Sequence, residues 1–346
     1  MNRRRWAAGA VVASVLALPA ALPAQANPPA APAPAAAGHH RPYTFAVIGD
    51  IPYGAEQVVD FPKVVAQINA DPDVRLVGHL GDIKNGSSVC SDDYFQQIRA
   101  DFDLFRDPLV YTIGDNEWTD CHRTNNGAYN PLERLSALRE VFFPRPGRTL
   151  GRNSAAVRSE ARFGFPENVR FRRADVSFGA VHMVGSNNGL APWTGNTAAT
   201  PEQTAEVLGR TASAVKVIHE TFQSARSHSD RAVVLMTQAD MFDPTVDRPT
   251  YANYYAFQPI VQAIAAESRG FKGPVYLLNG DSHVYNEDRP LAAGSSWLSF
   301  YGVTRAVPNL QRVTVDGSEN NDDYLKFTVH PRGHRVLSWT QVPYKS

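Results

Sequence analysis

Runs of apolar residues recur along the chain, and several end in the same two polar letters. Tyr43 to Asp50, YTFAVIGD, is β-branched and aromatic before its Gly-Asp, which predicts a buried strand. Ala55 to Ala70 follows with Val58, Val59, Phe61, Val64, Val65 and Ile68 at helical spacing. Val74 to Leu80 predicts a second strand, exiting into Gly81 and Asp82. Ser91 to Phe105 predicts a helix, and Leu109 to Ile113 a third strand, exiting into Gly114 and Asp115. Strand and helix alternate with polar residues at each strand exit, the pattern of a parallel sheet.

Further on, Leu132 to Phe143 predicts a helix, and Pro144 to Asn168, rich in Gly, Pro and Arg, predicts a long loop. Phe171 to Val176 and Ala180 to Val184 predict a hairpin joined by Ser177, Phe178 and Gly179. Helical patterns at Pro201 to Ser227 and Tyr254 to Glu267 bracket a strand, Ala232 to Met236. Another strand, Val275 to Leu278, exits into Gly280 to His283, GDSH. Period-two alternation at Gln311 to Val315, Tyr324 to Val329 and Val336 to Val342 predicts an antiparallel set. The expected architecture is α/β, of the α+β type: a mixed β-sheet sandwich flanked by helices.

The N-terminus changes the picture of where this domain works. Arg3, Arg4 and Arg5 precede an apolar run from Trp6 to Leu22 and the small-residue segment Ala24-Gln25-Ala26. That order predicts a signal peptide over 1–26, with a membrane anchor as the alternative. An Ala/Pro-rich linker over 27–40 follows, leaving one domain over 41–346 and a secreted or periplasmic location. Composition is 43% hydrophobic with 34 basic and 34 acidic residues, enough to bury a large core and with no basic patch for nucleic acid. No second membrane segment is predicted after signal cleavage. The two cysteines, Cys90 and Cys121, most simply pair in an oxidising compartment; two buried thiols are the alternative.

Four Gly-Asp exits carry the candidate chemistry: GDIPY at Gly49 to Tyr53, GDIKNG at Gly81 to Gly86, GDNE at Gly114 to Glu117, and GDSH. One Gly-Asp is an ordinary turn or helix cap. Four, each directly after an apolar strand, place carboxylates at the strand ends where open α/β sheets bind ligands. Crowded carboxylates each require a proton or a cation, and a divalent pair suits phosphate-ester chemistry.

In order and spacing from Tyr43 to Tyr285, these blocks resemble the calcineurin-like metallophosphoesterases. That family carries DxH, GDxxD or GDxxN, GNHE or GNHD, a lone histidine and GHxH. The resemblance implies an exported phosphoesterase that cleaves phosphomonoesters or phosphodiesters with a metal-activated water. It places metal ligands at Asp50, Asp82, Asp115, Asn116, Gln238, Asp281 and His283, with Asp82 bridging two ions. Pro52, Asp115, Asn116, Gln238 and Asp281 stand where the family has His, Asn, His, His and His. The oxygen-rich set suits Mn, Mg, Ca or Fe better than a Zn pair. Tyr53 could add a phenolate. Asn116 occupies the position of the family's proton-donating histidine, and His122 in the same loop is the candidate substitute. Lys84, Asn85 and Arg123 are candidate substrate-binding groups by charge and position. His182 reads as a core histidine, and Ser186 to Gly189 as a turn near the crevice. No GxSxG elbow follows a strand, which discounts a serine hydrolase. The reading from another class is a non-catalytic cation-binding protein on the same fold. The partner implied is a small-molecule phosphate ester, with oligomeric state open.

Overall fold

The computed structural model describes residues 42–246 and 250–345, so the expected signal peptide and linker lie outside the described residues. Twelve strands among these residues are β1 (Tyr43–Ile48), β2 (Val74–His79), β3 (Leu109–Tyr111), β4 (Arg158–Glu160), β5 (Phe165–Arg173) and β6 (Val176–Ala180), then β7 (Ala232–Met236), β8 (Val275–Asn279), β9 (Asn286–Asp288), β10 (Leu310–Thr314), β11 (Asp323–Val329) and β12 (Leu337–Pro343). They form two mixed sheets, ordered β12-β11-β1-β2-β3 and β4-β5-β6-β7-β8-β10-β9. β1, β2 and β3 are parallel neighbours, as are β6, β7, β8 and β10.

Alternation along the central strands explains the layering. Phe45 and Val47 of β1 face the same core as Phe178, Val234 and Leu278 of the other sheet, with the Phe45 and Phe178 rings edge-to-face at 5.5 Å. Ala46 and Ile48 point to the opposite face, where they meet Phe61, Phe95, Phe102 and Leu138 of the helices Gly54–Ala70, Asp92–Phe102 and Pro131–Phe142. On the far side, Val233 and Leu235 pack against Val217, Ile218, Ile260 and Ile264 of the helices Pro201–Ser227 and Gln258–Arg269. Both faces of each central strand are therefore apolar, which is why these strands read as continuous hydrophobic runs. Side-chain caps fix the helix starts: Ser91 accepts from Tyr94 N–H, and Thr200 and Gln203 form a capping box.

Four expectations need correction. The hairpin turns at Ala174 and Asp175, both at positive φ (49° and 58°), so Ser177, Phe178 and Gly179 lie inside β6. A two-residue turn with both φ positive matches the strand twist, and Phe178 is thereby free to enter the inter-sheet core. The segment expected as a long loop contains β4 and the start of β5, which pair at the edge of the second sheet. The first of the three alternating tail segments becomes β10, parallel to β8 and in the other sheet from β11 and β12. Finally, the helix expected from Tyr254 begins at Gln258, after a short turn at Tyr251–Tyr254 and a 3-10 turn at Tyr255–Phe257.

Candidate metal centre

The Gly-Asp exits of β1, β2, β3 and β8 converge at one edge of the two sheets. Donor atoms of Asp50, Asp82 and His283 lie within 4.8 Å of one another, and so do those of Asp82, Asp115 and Asp281. Asp82 belongs to both sets. Backbone geometry aims these groups: Asp50, Asp82, Asp281 and His283 sit at positive φ (54°, 53°, 77° and 59°). A left-handed conformation costs a residue with a side chain roughly 1–2 kcal/mol, least for Asp and Asn, so four at one site mark stored strain.

The glycines of the motif have a steric reason. A Cβ on Gly114 would collide with the Asp82 carboxylate, and one on Gly280 with that of Asp50. The backbones of these two exits thus pack directly beneath the carboxylates of two others. Main-chain donors then hold the carboxylates: Asp281 N–H bonds both oxygens of Asp50 at 3.0 and 3.1 Å, and Asn116 N–H bonds Asp82 Oδ1 at 3.2 Å.

Electrostatically the set is incomplete as a protein-only cluster. Burial raises the pKa of Asp50 against the pull of His283. Burial raises Asp82 well above its usual value, and the charges of Asp115, Glu117, Asp50 and Asp281 raise it further. Asp281 is raised by burial and by Asp115 and Asp50. Burial lowers His283, but the Asp50 hydrogen bond and the charges of Asp50, Asp115 and Asp243 together outweigh it and the net shift is upward. Among the described residues, no Lys or Arg pairs with Asp50, Asp82, Asp115 or Asp281; the basic partner of the group is His283, 3.5 Å from Asp50. Four carboxylates and one imidazole in two overlapping donor triplets match the charge and donor chemistry of two divalent cations. The residues present therefore fit a metal pair.

The other candidate residues are placed differently. Gln238 is fully buried, and its Oε1 accepts from Gly185 N–H at 2.8 Å while its Nε2 faces Asp82 and Asp115 at 3.2 and 3.3 Å. The Gly185 donor fixes the amide orientation. Gln238 thus offers the carboxylates hydrogen, which replaces the expected ligand role with a bracing one. Asn116 likewise turns Nδ2 to Tyr53 Oη at 2.7 Å and to Asp82 at 3.0 Å. Lys84 is buried and donates to the carbonyls of Asn85 and Asn116, so it braces the loop from within instead of facing substrate. Burial holds its pKa down to about 8. Asn85 caps its own loop by accepting from Ser87 and Ser88. Arg123 pairs with Asp120 at 2.7 Å, and His122 accepts from Thr194 N–H at 2.8 Å beside Trp193. Neither His122 nor Arg123 reaches the carboxylate cluster through these contacts. Cys90 and Cys121 form a disulfide whose sulfurs lie 3.7 and 3.9 Å from the Asn116 carbonyl, tying the GDIKNG and GDNE loops together. His182 is buried, with Nδ1 on Glu167 at 2.9 Å.

Tyr53, expected as an added phenolate, is joined by Ser186, Glu117 and Asp240, which the sequence reading missed as site residues. Tyr53 Oη stands 3.1 Å from Asp82 and 3.2 Å from His283, and half-buried. Ser186 Oγ bonds Asp115 at 2.8 Å from a turn in which Ser186, Asn187 and Asn188 all have positive φ (52°, 54° and 56°). Glu117 turns from the crevice to Gly114 N–H and Tyr111 Oη, and burial raises it to about 7. Asp240, paired with the buried Arg312, receives Ser282 Oγ and, through its own N–H, supports Asp281. The SNNG spelling was the one local signal for the turn; nothing local marks Asp240.

No family model and no curated protein matches the chain. Three solved structures are similar to it at TM-scores below 0.5. GAP50, the anchor in the inner membrane complex of Plasmodium, is 8% identical with a TM-score of 0.43, over 88% of this chain and 90% of that one. A purple acid phosphatase from yellow lupin seeds is 10% identical with a TM-score of 0.43, over 87% of this chain and 54% of that one. A phosphopantetheinyl hydrolase from Mycobacterium tuberculosis is 12% identical with a TM-score of 0.37, over 80% of this chain and 90% of that one. Likenesses of this degree assign the chain no activity.

Proposed function

We propose that the chain is an exported metal-dependent phosphoesterase acting on a small-molecule phosphate ester. The observation that carries this reading is the pair of donor triplets sharing Asp82. Asp50 and His283 would hold one cation, Asp115 and Asp281 the other, and Asp82 both. When bound, such a pair polarises the phosphoryl oxygens, lowers the pKa of water and offsets charge on the leaving oxygen. The chain's own residues orient the substrate around it. Tyr53 Oη and Asn116 Nδ2, which donate to Asp82 in the cluster, would turn to a phosphoryl oxygen once cations occupy that carboxylate. Ser186 and Gln238 keep Asp115 in place, and Asp240 keeps Asp281. The Cys90–Cys121 disulfide supports export to an oxidising compartment. No helix among the described residues is long and apolar enough to cross a membrane.

One observation favours the non-catalytic alternative: the position of a proton-donating imidazole is filled by Asn116, while His122 is bonded to Thr194. Metal analysis and turnover separate the two. Two ions per chain and hydrolysis restored by metal support the enzyme; one tightly held ion and no turnover support the binding protein. Asp82→Asn tests the shared ligand: loss of hydrolysis and of metal occupancy in a folded protein is expected, and full retention of both would end the two-metal reading.

A further inference from the structure

A cavity of about 570 Å³ opens beside the Asp115 and Asp281 side of the centre. Gly185, Ser186 and Asp281 form its inner end; Leu190, Tyr254, Tyr255 and Phe257 supply much of its wall. The volume lies in the range of pockets that hold small organic ligands, about 300–1,000 Å³. Among the described residues, no Lys, Arg or His lines it, and the one carboxylate besides Asp281, Asp240, is occupied by Arg312, Ser282 and Phe242 N–H. Tyr255 stacks on Tyr251 with ring centroids 5.4 Å apart, extending an aromatic face toward solvent.

The left-handed turn at Ser186–Asn188 connects cavity and centre. Ser186 Oγ binds Asp115, and Asn187 Oδ1 accepts from Ala256 N–H at 3.0 Å, holding the segment that carries Tyr254, Tyr255 and Phe257. Asn188 is anchored in turn by the buried Arg210, whose Nη2 donates to its carbonyl at 2.8 Å. One strained turn thus positions a ligand-bearing wall and an aromatic wall together.

We propose that this cavity receives the alcohol part of the substrate, and that it selects an uncharged aromatic group. The assignment rests on the phosphoesterase reading for the reaction but on the cavity alone for the selection. An apolar ring exchanges water for Leu, Tyr and Phe surface, whereas a charged group reaching past the metal centre would lose hydration along a wall on which the described residues supply no cationic side chain.

The test uses manganese-loaded protein and two ligand pairs. Calorimetry compares 2-naphthylmethylphosphonate with methylphosphonate, and kinetics compares 2-naphthyl phosphate with glycerol 2-phosphate. The naphthyl member is expected to be favoured by about tenfold or more in both pairs. Ala252→Trp, at an exposed position of the cavity wall, and Leu190→Arg should each reduce that preference to within about twofold, with unchanged circular dichroism and metal content. Equal affinity for the two phosphonates, or a preference that neither variant alters, would overturn the proposal. If no ester is hydrolysed but the phosphonate preference and its loss in both variants hold, the cavity assignment stands and the phosphoesterase reading fails.

Discussion

Removing metal should give the protein a pH-dependent stability that the loaded form lacks. Asp50, Asp82 and Asp281 all have folded pKa values above the ordinary carboxylate range, chiefly through burial. Such a group keeps a proton that the unfolded chain releases. The ion-free protein therefore loses stability as pH rises above the unfolded carboxylate pKa of about 4, until the folded pKa is passed. His283, also raised, acts in the same direction. The buried His79 and His182 act oppositely: burial lowers them to about 3 and about 4. Their effect is confined to pH below the unfolded histidine value of about 6.5. Above about pH 6.5 those two histidines no longer contribute, so the carboxylates and His283 lower stability together, opposed from about pH 8 by Lys84, whose pKa burial holds down to about 8. A retained proton changes stability by about 1.36 kcal/mol per pH unit for as long as the folded group holds it. Per pH unit that corresponds to a fall in Tm of about 2–3 °C for a chain of this length. Differential scanning calorimetry with chelator and with excess Mn²⁺ reads it directly. Ion-free protein should melt progressively lower from pH 6.5 to 8.5, and the loaded protein should not. A flat ion-free profile, or equal slopes in the two, would refute the claim that this carboxylate cluster requires cations.

Gly114→Ala should push the Asp82 carboxylate aside and weaken metal binding by about tenfold or more by calorimetry; unchanged affinity would mean that the close packing does not set ligand position. Reducing Cys90–Cys121, which closes a separation of 31 residues, should lower stability in urea by about 3.5–4 kcal/mol, and no shift in midpoint would contradict the chain-entropy account. With one imidazole among its donors, the stripped protein should regain more activity with Mn²⁺ or Mg²⁺ than with Zn²⁺ at matched free concentration. Asp281→His should move that ranking toward Zn²⁺, and an unmoved ranking would remove Asp281 from the ligand set.

Much of the architecture was legible because the signals are local. β7 and the helix Pro201–Ser227 fall where their residues alone predict them, since AVVLM is buried on both faces and Thr200, Pro201 and Gln203 spell a helix start. The Gly-Asp exits were equally legible, although Gly114 and Gly280 proved to serve packing beneath a neighbouring carboxylate and not only turn geometry. Local pattern also misled. Alternation at Gln311 to Val315 identified a strand but not its partner, and the buried Arg312, paired with Asp240 and Asp288, belongs to the second sheet. Gln238 was read as a ligand from its position, yet the direction of its amide depends on the main-chain N–H of Gly185.

By itself the sequence determined where most central strands and long helices form, which strand ends carry carboxylates, and that two cysteines were available to pair. These follow from spacing along the chain, which reports local backbone preference and the sidedness of burial. Only the tertiary structure decided that Ser186 reaches Asp115 across 71 residues, that Lys84 turns inward to two carbonyls, and that an aromatic cavity lies beside Asp281. Those outcomes depend on which distant donor satisfies which buried acceptor when the layers close, and no residue's own neighbours in the chain encode that choice.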